Sequence, residues 1–267
     1  MFTFLKRHPI PIVAHFRHSL VLTYALPRAC LEPLLPPGLI LDARGDFGFL
    51  AIAMVQTKSL RPSFCPRFLG QDFFLTGYRI FARYRTLNGR TLRGLRILRS
   101  DTDRKAMAHF GNLLTHYNYR IAKVSLAELG PRLEIQIQTP NAGADLHVIA
   151  DLSGTTSLPE GSPFADLREA RLFAGPLPFT FDYERETDSI VIIEGRRESW
   201  KPRPVAVQVL RAAFFDGPPF RGFTPVLANA FHVENVPYRW QRGRRESLPK
   251  EPDLQPISIG LNCRRSR

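Results

Sequence analysis

The stretch FGFLAIAMVQ at residues 47–56 restricts the fold more than any other part of the chain. It is apolar at almost every position, and its longest uninterrupted run, 49–55, is the length of a strand. A short apolar run of this kind predicts a strand buried on both faces. Nothing in the chain approaches the roughly 18–20 apolar residues a membrane helix needs, so no membrane partner is expected.

The surrounding pattern repeats the strand signal. Residues 18–24 (HSLVLTY) are β-rich, 27–35 reads as a short helix with proline near its start, and PPGL at 36–39 turns the chain. After a Pro-containing loop at 61–70, a long strand over 73–85 runs into Asn88-Gly89, a hairpin signal, and then into a strand over 91–98. Thr102 or Asp103 can cap a helix over 104–116, with Ala106, Met107, Phe110 and Leu114 as its apolar stripe. Further strands are expected near 119–126, 132–138, 145–152, 178–184, 189–196 and 204–214, with a helical turn near 164–170. Many short strands around one longer helix predict a mainly β (α+β) fold, an antiparallel barrel, closed or partly open, with a few short helices.

Charge adds a second layer. With 37 Lys and Arg against 24 Asp and Glu the formal charge is +13, which bears on solubility and partners rather than on fold. Seven arginines and no acid fall between residues 79 and 99. Residues 239–267 carry eight basic and three acidic residues among three prolines, so they read as a flexible basic tail after a domain over 1–238. Cys30, Cys65 and Cys263 are scattered and unpaired in spacing. That pattern points to a reducing compartment, the cytoplasm by default, and to no structural metal. The N-terminus is free of acids up to Glu32, but Pro9 and Pro11 break the amphipathic helix a targeting segment would need.

Three stretches, in this order, resemble one known family. They are YALPRACLEPLLPPGLILD at 24–42, the strand and helix over 94–119 ending in THYNY, and residues 168–205, where RLF leads to ESWKPRPVAV. Together they are similar to the bacterial domain of unknown function 2071 family, whose fold is similar to that of acetoacetate decarboxylase. The resemblance spans roughly residues 14–215. It implies a barrel of acetoacetate decarboxylase type. In that superfamily a lysine of depressed pKa forms a Schiff base with a ketone, and the protonated imine accepts the electrons left behind by carbon dioxide. The resemblance places the substrate-carboxylate arginine at Arg17 and the Schiff-base lysine at Lys105, within SDTDRKAM. The family's paired lysine and proline are missing there, and its preceding glutamate is matched by Ser100 or Asp101.

Several residues compete for roles in a site. Lys105, His109, Asn112 and His116 share one face of the predicted helix, either a polar cavity wall with His109 as proton carrier and His116 binding substrate, or an ordinary solvated face. Arg79 shares strand parity with Phe81, Arg83 and Arg85, which gives either an anion-binding face or the wet side of a strand. Glu194, next to Arg196, could bind substrate or serve as an acid or base if buried, and otherwise would be a salt-linked strand end. No metal site, nucleotide loop or serine-hydrolase elbow occurs, and no cofactor is expected.

The function expected is therefore binding of a small anionic, keto-acid-like molecule, with lyase-like Schiff-base chemistry through Lys105 as its sharper form. The alternative is a non-enzymatic protein that uses its arginine-rich surface on anionic partners such as nucleic acid. Either leaves a homo-oligomer open.

Overall fold

A computed structural model describes residues 3–175 and 177–249. The chain opens with β1 (Ile12–Pro27), a short turn of helix α1 (Arg28–Leu31), β2 (Leu39–Leu41), β3 (Phe47–Pro62), β4 (Gln71–Arg85) and β5 (Thr91–Thr102). Helix α2 (Lys105–Leu114) leads to β6 (Tyr119–Ile121), then β7 (Lys123–Leu129), β8 (Arg132–Gln138) and β9 (Leu146–Asp151). Helix α3 (Leu167–Ala174) precedes β10 (Phe179–Glu184), β11 (Ser189–Arg197), β12 (Arg203–Pro204), β13 (Ala206–Ala212), β14 (Val226–Trp240) and β15 (Arg244–Ser247). None of the helices among the described residues is long and apolar enough to cross a membrane.

Strand pairing makes two sheets. In the larger, β14, β1, β3, β4, β5, β10 and β11 follow one another, and β11 pairs again with β14 through Gly195↔Trp240 and Arg197↔Tyr238. The path thus returns to its start. The smaller sheet has the order β13-β9-β8-β7. Residues 47–56 fall within β3, flanked by β1 on one side and β4 on the other. Alternate residues Leu50, Ile52 and Met54 share a core with Leu133, Ile135 and Val148 of the smaller sheet. Phe49, Ala51, Ala53 and Val55 turn the opposite way, toward Val21, Phe81 and Val233. Burial on both faces is what the continuous apolar run predicts.

The sheet is mixed, which corrects the expectation of a purely antiparallel one. Strand β5 pairs in parallel with β6 and with β10. A parallel partner needs a crossover of a dozen or more residues, commonly a helix, and α2 supplies it between β5 and β6. Three further expectations change. Strand β14 lies where the sequence pattern offers no element, and it is the strand that closes the circuit. Residues 239–247, read as the start of a flexible tail, complete β14 and form β15 against β11. Residues 250–267 lie outside the described residues. Asp103 does not cap α2. It accepts the Phe74 amide at 2.8 Å instead.

The arginine cluster of residues 79–99 is largely consumed inside the fold. Arg83 and Arg93 both reach the fully buried Asp42, each with Nε at 2.6 Å. Arg96 pairs with buried Asp182, and Arg99 with buried Asp101. These carboxylates come from other parts of the chain or from the strand itself, so the cluster is not the open cationic face that charge counting suggests.

Two buried imidazoles join β1 to β14. His18 Nδ1 lies 3.0 Å from His232 Nε2, and Glu128 approaches His18 Nε2 at 3.3 Å. Glu234, Arg203 and Arg17 are the other charged groups nearby. Burial, with a smaller contribution from His18, pulls His232 down from 6.5 to about 4. Because the folded value is depressed, the fold favours the neutral ring. That stability is complete above pH 6.5 and drains away as the pH falls toward 4.

Two outcomes are expected. Ile52→Ala, which empties a fully buried position between the sheets, lowers stability by about 2–5 kcal/mol in urea unfolding, with little change in slope. Wild-type stability falls by about 2–3 kcal/mol between pH 6.5 and 4 on account of His232. His232→Gln removes that part of the pH dependence, and an unchanged slope in this variant would refute the assignment.

Candidate functional site

The closed circuit is hollow because many side chains on its inner face are small. Ala51 and Ala53 of β3, Ser19 of β1, Ser100 of β5 and Thr180 of β10 line a cavity of about 460 Å³. On β3 the contrast is direct: the residues turned toward the second sheet are Leu50, Ile52 and Met54, while those between them are alanines. Helix α2 contributes its apolar stripe, Met107, Phe110, Gly111 and Leu114, as one wall. Phe16, Trp200, Phe231 and Trp240 add an aromatic wall.

Three arginines line this apolar space: Arg61 of β3, whose guanidinium donates to the Cys65 and Ser59 carbonyls, Arg79 from β4, and Arg197 from the end of β11. Arg79 is walled in by protein, and the surface it keeps faces the cavity. Its Nε has no hydrogen-bond partner. Arg197 donates to the Leu177 carbonyl at 3.3 Å and lies over Trp200, 4.7 Å from the ring centre, and over Tyr238 at 5.4 Å. Burial lowers the pKa of both, but guanidinium stays charged in proteins. Among the described lining residues there is no Asp, Glu or Lys. Three guanidinium groups therefore share an apolar cavity that has no lining carboxylate among the described residues.

Three tyrosines surround Arg79. Tyr117, Tyr119 and Tyr238 line the cavity and are the main electrostatic neighbours of Arg79. Burial drives their hydroxyl pKa values up, so at neutral pH they are neutral groups able to donate a hydrogen bond. Phe16 stacks on Tyr238 with ring centres 4.8 Å apart, and Trp240 packs against it at 4.5 Å.

Glycines make room for this polar group. A methyl at Gly77 would strike the Arg79 guanidinium, one at Gly111 would overlap the Tyr119 ring, and one at Gly195 would overlap the Tyr238 hydroxyl. Each glycine comes from a different element, and each accommodates one polar residue of the cavity.

His8 completes the lining. Its backbone bonds to Leu114 and Gly243 fix it between α2 and the segment before β15. Burial lowers its pKa to about 4, so the ring is a neutral proton acceptor at pH 7.

Of the residues singled out from sequence, Arg79 is the one the structure brings into this cavity. Lys105 is exposed at the start of α2, and His109 is exposed one turn later. Neither lines the cavity. Arg17 is exposed and hydrogen-bonds Glu128 at 3.2 Å. His116 is half-buried beyond the end of α2, with its pKa lowered mainly by burial, and it too lies off the lining. Glu194 pairs with Arg196 at 2.9 Å on the outer side of β11. The helix thus turns its apolar stripe, and not its Lys105/His109/Asn112 face, to the cavity. Sequence reasoning missed Arg197, Tyr238 and His8. Strand parity on β11 carried the signal for Arg197, which shares a face with buried Val191, Ile193 and Gly195 while Glu194 and Arg196 take the other.

Comparison with known proteins places this architecture. The chain is similar to a crystal structure of acetoacetate decarboxylase from Legionella pneumophila, with a TM-score of 0.57 and 12% identity over 90% of this chain and 88% of that one. It is similar to an acetoacetate decarboxylase-like enzyme from Sphingomonas wittichii, with a TM-score of 0.55 and 15% identity over 91% of this chain and 94% of the other. The enduracididine biosynthesis enzyme MppR, solved with the condensation product of pyruvate and imidazole 4-carboxaldehyde, gives 0.55 and 13% over 89% of each chain. At such identities the likeness shows the fold, which is acetoacetate decarboxylase-like. A search of curated protein sequences finds no match. The model of the domain of unknown function 2071 family, described as an uncharacterized conserved protein, matches residues 13–247, and the chain belongs to that family.

Proposed function

We infer that the barrel binds a small organic anion, a carboxylate with an apolar body, between Arg79 and Arg197. One observation carries this reading: beside Arg61, which is tied to backbone carbonyls, Arg79 and Arg197 line an apolar cavity with no lining carboxylate among the described residues. A buried charge without a partner is costly, and an anion supplied from outside removes that cost. Guanidinium suits carboxylate geometry because it offers paired donors in one plane. Arg79 Nε is free to donate, and the neutral tyrosine hydroxyls provide further donors around it. The aromatic and aliphatic walls then take the apolar part of the ligand.

The same arrangement stabilises negative charge that develops on a ligand oxygen, as an enolate or carbonyl oxyanion would carry. Neutral His8 is the nearby proton acceptor of this lining. A Schiff base has less support. It needs an amine in the cavity, and Lys105 is exposed outside it. We therefore assign non-covalent recognition of the anion, by the fold that in MppR accompanies a pyruvate-derived ligand. Binding of nucleic acid is disfavoured, because Arg83, Arg93, Arg96 and Arg99 are held by buried carboxylates.

Calorimetric titration with 2-oxo acids of increasing apolar length, each beside its neutral amide, tests this function. The acids bind and the amides do not. Arg79→Gln and Arg197→Gln each weaken acid binding about ten- to a hundredfold, the loss of one charge-assisted hydrogen-bond partner. Lys105→Ala leaves it unchanged, and borohydride traps no adduct. Equal binding of acid and amide, or a borohydride adduct on Lys105, would contradict the reading. Gly195→Ala, which displaces Tyr238, is expected to weaken acid binding several-fold and to lower stability by about 1–3 kcal/mol through overpacking.

A further inference from the structure

The cavity opens beside a loop whose apolar side chains point outward. Residues 63–70 join β3 to β4, and among them Phe64 is 74% exposed, Phe68 83% and Leu69 59%. Phe110 of α2 is 50% exposed. Leu69 and Phe110 also line the cavity, so the surface patch is continuous with the cavity wall.

The exposure is built into the loop. Ser63 N–H donates to the Pro11 carbonyl at 2.9 Å, Leu69 N–H to Pro66, and Gly70 N–H to Arg67. Arg61 donates to the Cys65 carbonyl at 3.0 Å and to the Ser59 carbonyl at 2.9 Å. With its backbone tied in this way, the loop displays Phe64 and Phe68 while neither lines the cavity. Patches of contiguous exposed aromatic and aliphatic side chains mark contact surfaces.

Charge around the patch selects the partner. Arg67, Arg104 and Lys105 are exposed, and among the described residues none of them lies within ion-pair distance of a carboxylate, although Arg104 adds a small attraction to Asp72 from farther away. Arg104 and Lys105 stand beside the loop because Leu75 of β4 pairs with Thr102 of β5. The nearest acids are engaged: Asp72 with Lys58 at 2.8 Å and Asp103 with the Phe74 amide. The whole chain carries +13. Aromatic side chains ringed by Arg and Lys match the interface of an anionic bilayer, where the rings enter the headgroup boundary and the cations meet lipid phosphate.

The geometry points to loop 63–70, together with Arg67, Arg104 and Lys105, as a docking surface for an anionic phospholipid membrane, set at the mouth of the cavity. Contact there turns the cavity entrance toward the bilayer, from which an amphiphilic anion can enter without crossing water. The surface contact stands apart from the anion reading above, since Phe64 and Phe68 take no part in the cavity.

Co-sedimentation with vesicles of phosphatidylcholine alone, and of phosphatidylcholine mixed equally with phosphatidylglycerol, tests the surface on the full chain. The protein binds the mixed vesicles in low salt, binds phosphatidylcholine weakly, and is released by high salt. Phe64→Asp/Phe68→Asp reduces binding to mixed vesicles at least about tenfold, while its thermal midpoint and its binding of 2-oxo acids match wild type. Arg67→Glu lowers binding to the mixed vesicles more than to phosphatidylcholine. Failure of the wild type to bind mixed vesicles in low salt overturns the proposal, as does a double variant that binds like wild type. If light scattering instead shows a wild-type dimer that Phe64→Asp/Phe68→Asp makes monomeric, and vesicles capture neither, the patch belongs to a second copy and the membrane assignment is wrong.

Discussion

Everything in this molecule follows from the closing of the larger sheet through the pairing of β11 with β14. A closed circuit has an inside and an outside, and every strand must serve both. Strand β3 shows the consequence in its composition. Its outward set, Leu50, Ile52 and Met54, is large because it must fill the space beneath the smaller sheet. The intervening alanines, Ala51 and Ala53, do not fill the interior, and a hollow remains. Had both sets been large, the circuit would have packed solid, as small barrels do. The cavity is thus a property of side-chain size at alternate positions, and the fold merely encloses it.

Charge follows from the same partition. An arginine on a strand of such a sheet is directed to one side or the other, and its sequence neighbours do not share its fate. Arg79, Arg83 and Arg85 have one parity on β4, yet Arg79 enters the cavity, Arg83 reaches Asp42 and Arg85 remains exposed. A register shift between Tyr78 and Arg79, where β4 meets β5, accompanies this divergence. On β11, Glu194 and Arg196 satisfy each other outside while Arg197 is left inside with aromatic faces and one backbone carbonyl. Counting charges along the sequence merges these populations, which is why a run of seven arginines reads as one cationic face although four of them are held by carboxylates.

Much of the fold was legible from pattern alone. Strands β3, β4, β5 and β8 to β11, the hairpin at Asn88-Gly89 and helix α2 lie close to where alternation and turn residues put them. The exceptions share a cause. Strand β14 contains Pro237 and interleaves polar residues, and it is stabilised by pairing with β1 along its whole length, a long-range effect with no local signature. Strand β15 borrows its order from β11 in the same way. The parallel pairings depend on where the crossover places the returning chain, which periodicity does not encode. For the site, Arg79 could be named because it is a cation on a strand with apolar neighbours. His8 and Tyr238 could not, since they reach the cavity only after the chain ends are brought together by β14. Lys105 comes from family resemblance, and its exposure follows from the helix pattern, which sets it on the polar face opposite the Met107/Phe110/Leu114 stripe.

The electrostatic character of the cavity is unusually constant. Guanidinium does not lose its proton in any ordinary range, burial keeps the three tyrosine hydroxyls protonated, and His8 remains neutral down to about pH 4. Desolvation by the apolar walls locks the tyrosines and His8 in their neutral forms, whereas the guanidinium groups keep their charge in spite of it. A lysine in the same position would behave differently, because burial moves an amine toward neutrality and so makes it a nucleophile that has lost its charge. Arginine gives up that nucleophilic option and retains the charge. A pocket built with Arg79 and Arg197 is therefore suited to holding an anion by charge across the whole neutral range, and no lysine among its described lining residues offers the amine that a Schiff base needs.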